Sequence, residues 1–157
     1  MLNQDVKIIK NFTERIHKIS AKIKLLSLLE KAHQEFEQNK LADCEKSCKE
    51  ILQANPQNHT ALRGLGCVMQ AQGNYKKALV YYNKALKYSK NKEIEYTLIG
   101  MVYYQKEELD DAIKYFNLAI DTNDNYDPAY EARNQSMLEN HLKIIDLQDS
   151  LIKQNLF

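Results

Sequence analysis

Residues that end or bend helices are scarce in this sequence. It contains two prolines and four glycines among 157 residues. Proline removes a backbone donor and clashes with the preceding helical turn, and glycine inside a helix costs about 1 kcal/mol relative to alanine. Their scarcity predicts a chain that is almost wholly helical.

Cysteine is sparse as well. Cys44, Cys48 and Cys67 are an odd number, far below the density of a disulfide-stabilised scaffold. Residues 1–10 contain no apolar run of the length found in signal peptides. Both observations favour a reducing compartment, and we expect a cytoplasmic location.

Neither sign of charge dominates, because 22 lysines and arginines face 21 aspartates and glutamates, mixed along the chain. A polyanion partner needs a basic surplus, so we expect no nucleic-acid partner. No segment approaches the roughly 18 consecutive apolar residues of a membrane span. We therefore expect no membrane partner either.

What the sequence does have is internal repetition. Two segments thirty-four residues apart match in size and polarity, and a fainter third copy lies one period upstream, from Leu28 to Leu52. A fixed period of this length with helical spacing inside it indicates stacked helix pairs, an architecture that usually binds other molecules. The matching positions are Leu62, Leu65, Gly66, Tyr75, Ala78, Tyr82, Ala85 and Leu86 in one segment, and Tyr96, Ile99, Gly100, Leu109, Ala112, Phe116, Ala119 and Ile120 in the next.

Each copy reads as two helices joined by a tight turn. In the clearest copy the first helix spans about Thr60 to Gln72, Gly73 ends it, and Tyr75 begins the second. Gly66 and Gly100 fall inside first helices at the same phase. Because glycine is unfavourable there, we expect both to permit a close contact between paired helices.

The spacing divides the chain into five parts. Residues 1–24 form an amphipathic N-terminal helix, residues 25–58, 59–92 and 93–127 form three helix pairs, and residues 128–157 form a C-terminal capping helix. The fold class is therefore an all-α helical-repeat array. The N-terminal helix carries a stripe too apolar to remain bare in water, and we expect it to associate with a second copy as a homodimer or to fold back on its own array. The stripe comprises Ile9, Phe12, Ile16, Ile19 and Ile23.

The repeats resemble the tetratricopeptide repeat family, whose motif pairs a large and a small residue in the first helix with alternating aromatics and alanines in the second. Leu65-Gly66, Gly73, Tyr75, Ala78, Tyr82 and Ala85 carry the resemblance, and the third copy is nearly as close. The chain also resembles type III secretion translocator chaperones in size, in having three repeats and in its leading helix. These resemblances imply a superhelical array that binds proteins.

The family's first helices line a concave groove, so the resemblance implies which residues face a partner. Lysine, asparagine and arginine, which grip a terminal carboxylate in the family's chaperone-tail receptors, are absent from the corresponding positions, where Leu29, His33, Cys67, Thr97 and Met101 stand instead. An apolar groove favours an extended or helical segment with hydrophobic anchors. The implied groove residues are Leu29, His33, Phe36, Arg63, Cys67, Gln70, Thr97, Met101, Tyr104 and Gln105.

Three functions remain open: a general protein-binding module, a translocator chaperone of the type III secretion kind, and a scaffold subunit of a larger assembly. In any of them the N-terminal helix of the chain itself is an alternative occupant of the groove.

Nothing in the sequence indicates catalysis or a cofactor. Cys44 and Cys48 lie four apart on a helix at core phases, without a CxxC pair or paired histidines, so we interpret them as buried structural thiols and expect no metal. His17, His59 and His141 have no nucleophile or carboxylate at an interpretable spacing. We therefore expect a protein that is not an enzyme.

Overall fold

The computed structural model describes residues 2–155, and within that range all regular structure is helical. The all-α prediction is confirmed. Residues 1, 156 and 157, which belong to the predicted terminal helices, lie outside the described residues. In chain order the helices are α1 (Leu2–Glu37), α2 (Leu41–Ala54), α3 (His59–Ala71), α4 (Tyr75–Tyr88), α5 (Lys92–Gln105), α6 (Leu109–Thr122) and α7 (Asp127–Asn155).

The helices stack in pairs. The C-terminal part of α1 packs on α2, α3 on α4, and α5 on α6, while α7 packs against α5 and α6. Contacts of α2 with α3 and of α4 with α5 join the pairs into one array. Its core is continuous and is built from buried side chains of every pair, including Ala32, Cys48, Ile51, Leu65, Val68, Tyr82, Ile99 and Val102.

Two glycines set the distance between paired helices. A Cβ on Gly100 would stand 2.6 Å from Cε1 of Phe116, and one on Gly66 would collide with the ring of Tyr82. Both rings are buried. The expectation that Gly66 and Gly100 permit a close helix contact is confirmed.

The turn inside each pair has one geometry, repeated three times. The second residue after the first helix has a positive φ: Asn39 at 57°, Gly73 at 72° and Glu107 at 62°. A backbone N–H then closes each turn by bonding a carbonyl five residues back, the Schellman pattern. These bonds run from Lys40 to Glu35 (2.8 Å), from Asn74 to Met69 (2.8 Å) and from Glu108 to Tyr103 (3.0 Å).

The predicted N-terminal helix and the first helix of the first pair are one uninterrupted helix, α1. Every described side chain from residue 4 to residue 24 is exposed, so this part extends away from the array and does not lie over the groove. No helix within residues 2–155 combines the length and the apolarity that crossing a membrane requires. The division of the chain at residues 25 and 128 stays a prediction.

Candidate functional site

The ten predicted groove residues lie on α1, α3 and α5 and differ in exposure. Most are half-buried, and His33, Met101 and Gln105 are exposed. Thr97 differs, because it is only 5% exposed and its hydroxyl donates to the carbonyl of Glu93 at 2.8 Å. Thr97 is therefore not available to a partner, whereas Met101, at 41%, is.

A cavity of about 180 Å³ opens between α1, α2 and α3. It brings together five of the six predicted groove residues of the first two repeats, all but Gln70, although the two groups lie 27 residues or more apart in the sequence. Its wall is mostly apolar, with one guanidinium at its edge. The lining residues are Leu29, Ala32, His33, Phe36, Cys44, Cys48, Thr60, Arg63, Gly64 and Cys67.

The three cysteines form part of this wall as neutral thiols. Burial raises the pKa of Cys48 to about 12 and also raises the pKa of Cys44 and of Cys67. A thiol nucleophile or metal ligand needs a lowered pKa, so these side chains act as small hydrophobes. Among the residues that the structure describes, no three His, Cys, Asp or Glu side chains cluster closely enough to hold a metal ion.

Arg63 reaches the cavity but its charge is compensated. Its Nε and Nη2 both donate to Oε1 of Glu95, at 2.9 and 2.7 Å. The Glu95 side chain is completely buried, that of Arg63 is 22% exposed, and within residues 2–155 no group donates to the second oxygen of Glu95. The ion pair of Arg63 and Glu95 therefore adds no net charge to the groove.

Sequence reasoning missed Glu95. The signal was present, since Glu95 occupies the position that Ala61 has one repeat earlier, where the array buries its side chains. A carboxylate at a buried position needs a cationic or hydrogen-bonding partner. Arg63 lies one repeat upstream on the adjacent first helix, and the sequence offered it as this cationic partner.

Toward α7 the groove becomes polar. The Nε2 group of Gln70 donates to Oε1 of Gln105 at 2.9 Å, linking α3 to α5. Gln135 of α7 donates to the hydroxyl of Tyr104 at 3.1 Å, and a hydrogen bond with Glu139 raises the pKa of Tyr104. The apolar part of the groove is thus confined to the cavity at its α1 end and to Met101.

The predicted stripe of the N-terminal helix lies on one exposed face of α1. The exposed fractions of Ile9, Phe12, Ile16, Ile19 and Ile23 range from 57% to 65%. Within the described chain nothing covers them, and their role in self-association stays a prediction.

Comparisons with known proteins agree with this architecture. Residues 59–92 and 96–126 each match the tetratricopeptide repeat family. No curated protein matches the sequence significantly.

Solved structures resemble the fold. One is the first tetratricopeptide repeat domain of human RPAP3, with 18% identity, a TM-score of 0.68, and 76% of this chain and 94% of that chain covered. Another is the type III secretion chaperone SycD of Yersinia enterocolitica in complex with a peptide of the translocator YopD, with 19% identity, a TM-score of 0.65, and 74% and 95% covered. A third is the O-GlcNAc transferase of Thermobaculum terrenum, with 22% identity and a TM-score of 0.66. There the match covers 72% of this chain but only 22% of the transferase.

Proposed function

The chain belongs to the tetratricopeptide repeat family, and from this premise we propose that its groove binds a segment of a partner protein through an apolar side chain seated in the cavity between α1 and α3. Tetratricopeptide repeats are generally protein-interaction modules without catalytic activity. The rest of the groove, from Gln70 to Gln105, would hydrogen-bond the polar groups of the same segment.

The size and lining of the cavity carry this proposal. Sites for small-molecule ligands usually measure about 300–1,000 Å³. A cavity of about 180 Å³ is below that range and suits one large apolar side chain. Binding energy in protein interfaces concentrates in such buried anchors.

The charges around the cavity favour a neutral anchor over a terminal carboxylate. One similar solved structure, the first tetratricopeptide repeat of Spaghetti (RPAP3), is bound to the HSP90 peptide SRMEEVD, which is acidic. In this chain the guanidinium of Arg63 already has a buried carboxylate as its partner. A second carboxylate would find no uncompensated cation there.

A translocator chaperone is the second candidate function. It is supported by the likeness to SycD, which covers 95% of that chain and includes its peptide complex. On this alternative the partner segment comes from a hydrophobic translocator, and the groove binds it by the same apolar anchor.

Selection of peptides followed by substitution tests the proposal. A random peptide library is selected on the full chain, and the dissociation constants of the enriched peptides are measured by calorimetry for the wild type and for Phe36→Ala. We expect the enriched peptides to share a large apolar residue. Phe36→Ala should raise their dissociation constants tenfold or more, which is the effect of losing an interface contact worth about 1.4 kcal/mol.

The matched control is Val80→Ala, which removes an exposed apolar side chain from α4, away from the cavity lining. It should bind as the wild type does. Unchanged affinity in Phe36→Ala, with an unchanged helical signal in circular dichroism, would show that the cavity is not the anchor site. Enrichment of peptides with acidic C-termini would contradict the neutral-anchor argument.

A further inference from the structure

Both ends of the array expose apolar faces. Repeat arrays normally end in helices with a polar outer face, which keeps the last repeat soluble. Here α1 projects its stripe at one end, packed only through its C-terminal part on α2 and α3, and α7 lies at the other end against α5 and α6.

The outer face of α7 is a second apolar stripe. Leu138, Leu142, Ile145 and Ile152 follow a spacing of four, three and seven residues, so they share one side of the helix. Their exposed fractions lie between 39% and 62%. We call residues 4–24 of α1 the arm and these four residues the outer face of α7.

The arm and the outer face differ in charge. The arm has six basic residues against Asp5 and Glu14, a net charge of +4, which leaves −3 for the remainder of the chain. Two acidic residues accompany the outer face: Asp146 lies along one edge, and Asp149 interrupts it. Lys143, three residues before Asp146, is already engaged by Glu107 at 3.2 Å.

From these observations we infer that the arm of one copy packs on the outer face of α7 of a second copy. The apolar stripes would bury each other. Arg15 and Lys22 flank the arm stripe, as the exposed Asp146 flanks the outer face of α7. In a parallel helix pair such flanking positions face each other and form interhelical ion pairs.

Neither homotypic alternative places opposite charges beside the stripe. In an arm–arm pair, the positions flanking the stripe are Arg15 and Lys22 on one side and Thr13 and Ser20 on the other, so no acidic residue is available opposite the cations. In a pair of outer faces, Asp146 and Asp149 of both copies would approach each other. Like charges across an interface disfavour it, whereas the mixed pair satisfies both signs.

This contact joins different surfaces of the two copies. If two chains exchange arms reciprocally, the result is a closed dimer with two identical contacts; otherwise the contact propagates into a longer assembly. The inference specifies the contact, and it does not depend on the groove proposal.

Complementation between two full-length variants tests it. One variant carries Phe12→Ser, Ile16→Ser and Ile19→Ser in the arm, and the other carries Leu138→Ser, Leu142→Ser and Ile145→Ser in the outer face. All six side chains are exposed, so the fold should persist, as circular dichroism will check. Sedimentation velocity is run on each protein and on their mixture.

We expect the wild type to assemble, each variant alone to be monomeric, and the mixture to form a 1:1 complex. The mixture retains one intact arm and one intact outer face on different chains. A control with Val80→Ser and Leu118→Ser, two exposed apolar residues of α4 and α6, should assemble like the wild type.

Three results would overturn the inference. An outer-face variant that still assembles alone would indicate arm–arm pairing. A mixture that stays monomeric would exclude the mixed contact. A monomeric wild type that binds phosphatidylcholine–phosphatidylserine vesicles through its arm would show that the basic amphipathic helix covers its stripe on a membrane surface instead.

Discussion

At the scale of single residues, Gly100 lowers the helix propensity of α5 but allows α5 and α6 to pack closely. Adding a methyl group in Gly100→Ala should gain about 1 kcal/mol of helix propensity. The new Cβ would lie 2.6 Å from the buried ring of Phe116, an overpacking that typically costs about 1 to 3 kcal/mol. We expect net destabilisation, and combining the change with Phe116→Leu should recover part of it. Thermal unfolding of both variants provides the measurement; a more stable Gly100→Ala would mean that the ring moves aside freely.

Single residues also mark the limit of prediction within the groove. The repeat phase predicts which side chains of the first helices face the groove, because the phase follows from helical geometry alone. The phase does not predict how deeply each of these side chains is buried. Thr97 has the phase of a groove residue but is buried, and Glu95 became recognisable only beside Arg63.

At the scale of elements, the three turns predict a simple stabilising change. Glu107 has a φ of 62°, which costs an L-residue with a Cβ about 1 to 2 kcal/mol and costs glycine little. Glu107→Gly should therefore raise the melting temperature, even though it removes the exposed ion pair with Lys143, which is worth at most about 1 kcal/mol. Lys106→Gly is the control, because φ is −84° there, and it should lower the melting temperature. Equal effects of both changes would contradict the turn argument.

Helix positions were largely predictable from the sequence. The clearest first helix, expected from Thr60 to Gln72, runs over His59–Ala71, because asparagine caps and the Gly73 turn fix its ends locally. The continuity of α1 was harder to predict. No glycine or proline precedes Pro56, so the boundary placed at residue 25 came from the repeat period and not from any helix-ending residue.

At the scale of the whole molecule, the near-zero net charge hides a separation of charge. The chain carries +1 in total, yet residues 4–24 carry +4, and the acidic surplus lies in the rest. The composition alone indicated no charged partner. Only the placement of the arm outside the array shows that its cations are exposed and lie at the opposite end from the acidic edge of α7.

The sign of the salt dependence follows from this separation. Salt screens exposed charges beyond about 10 Å at 0.1 M and beyond about 3 Å at 1 M. If the arm of one copy meets α7 of another, opposite charges attract, and raising the sodium chloride concentration should weaken assembly in sedimentation equilibrium. If two arms met instead, screening would relieve repulsion between two groups of cations, and assembly would strengthen. Asp146→Lys should abolish or reverse the salt effect of the mixed contact, while Asp43→Lys, on the exposed surface of α2, should leave it unchanged.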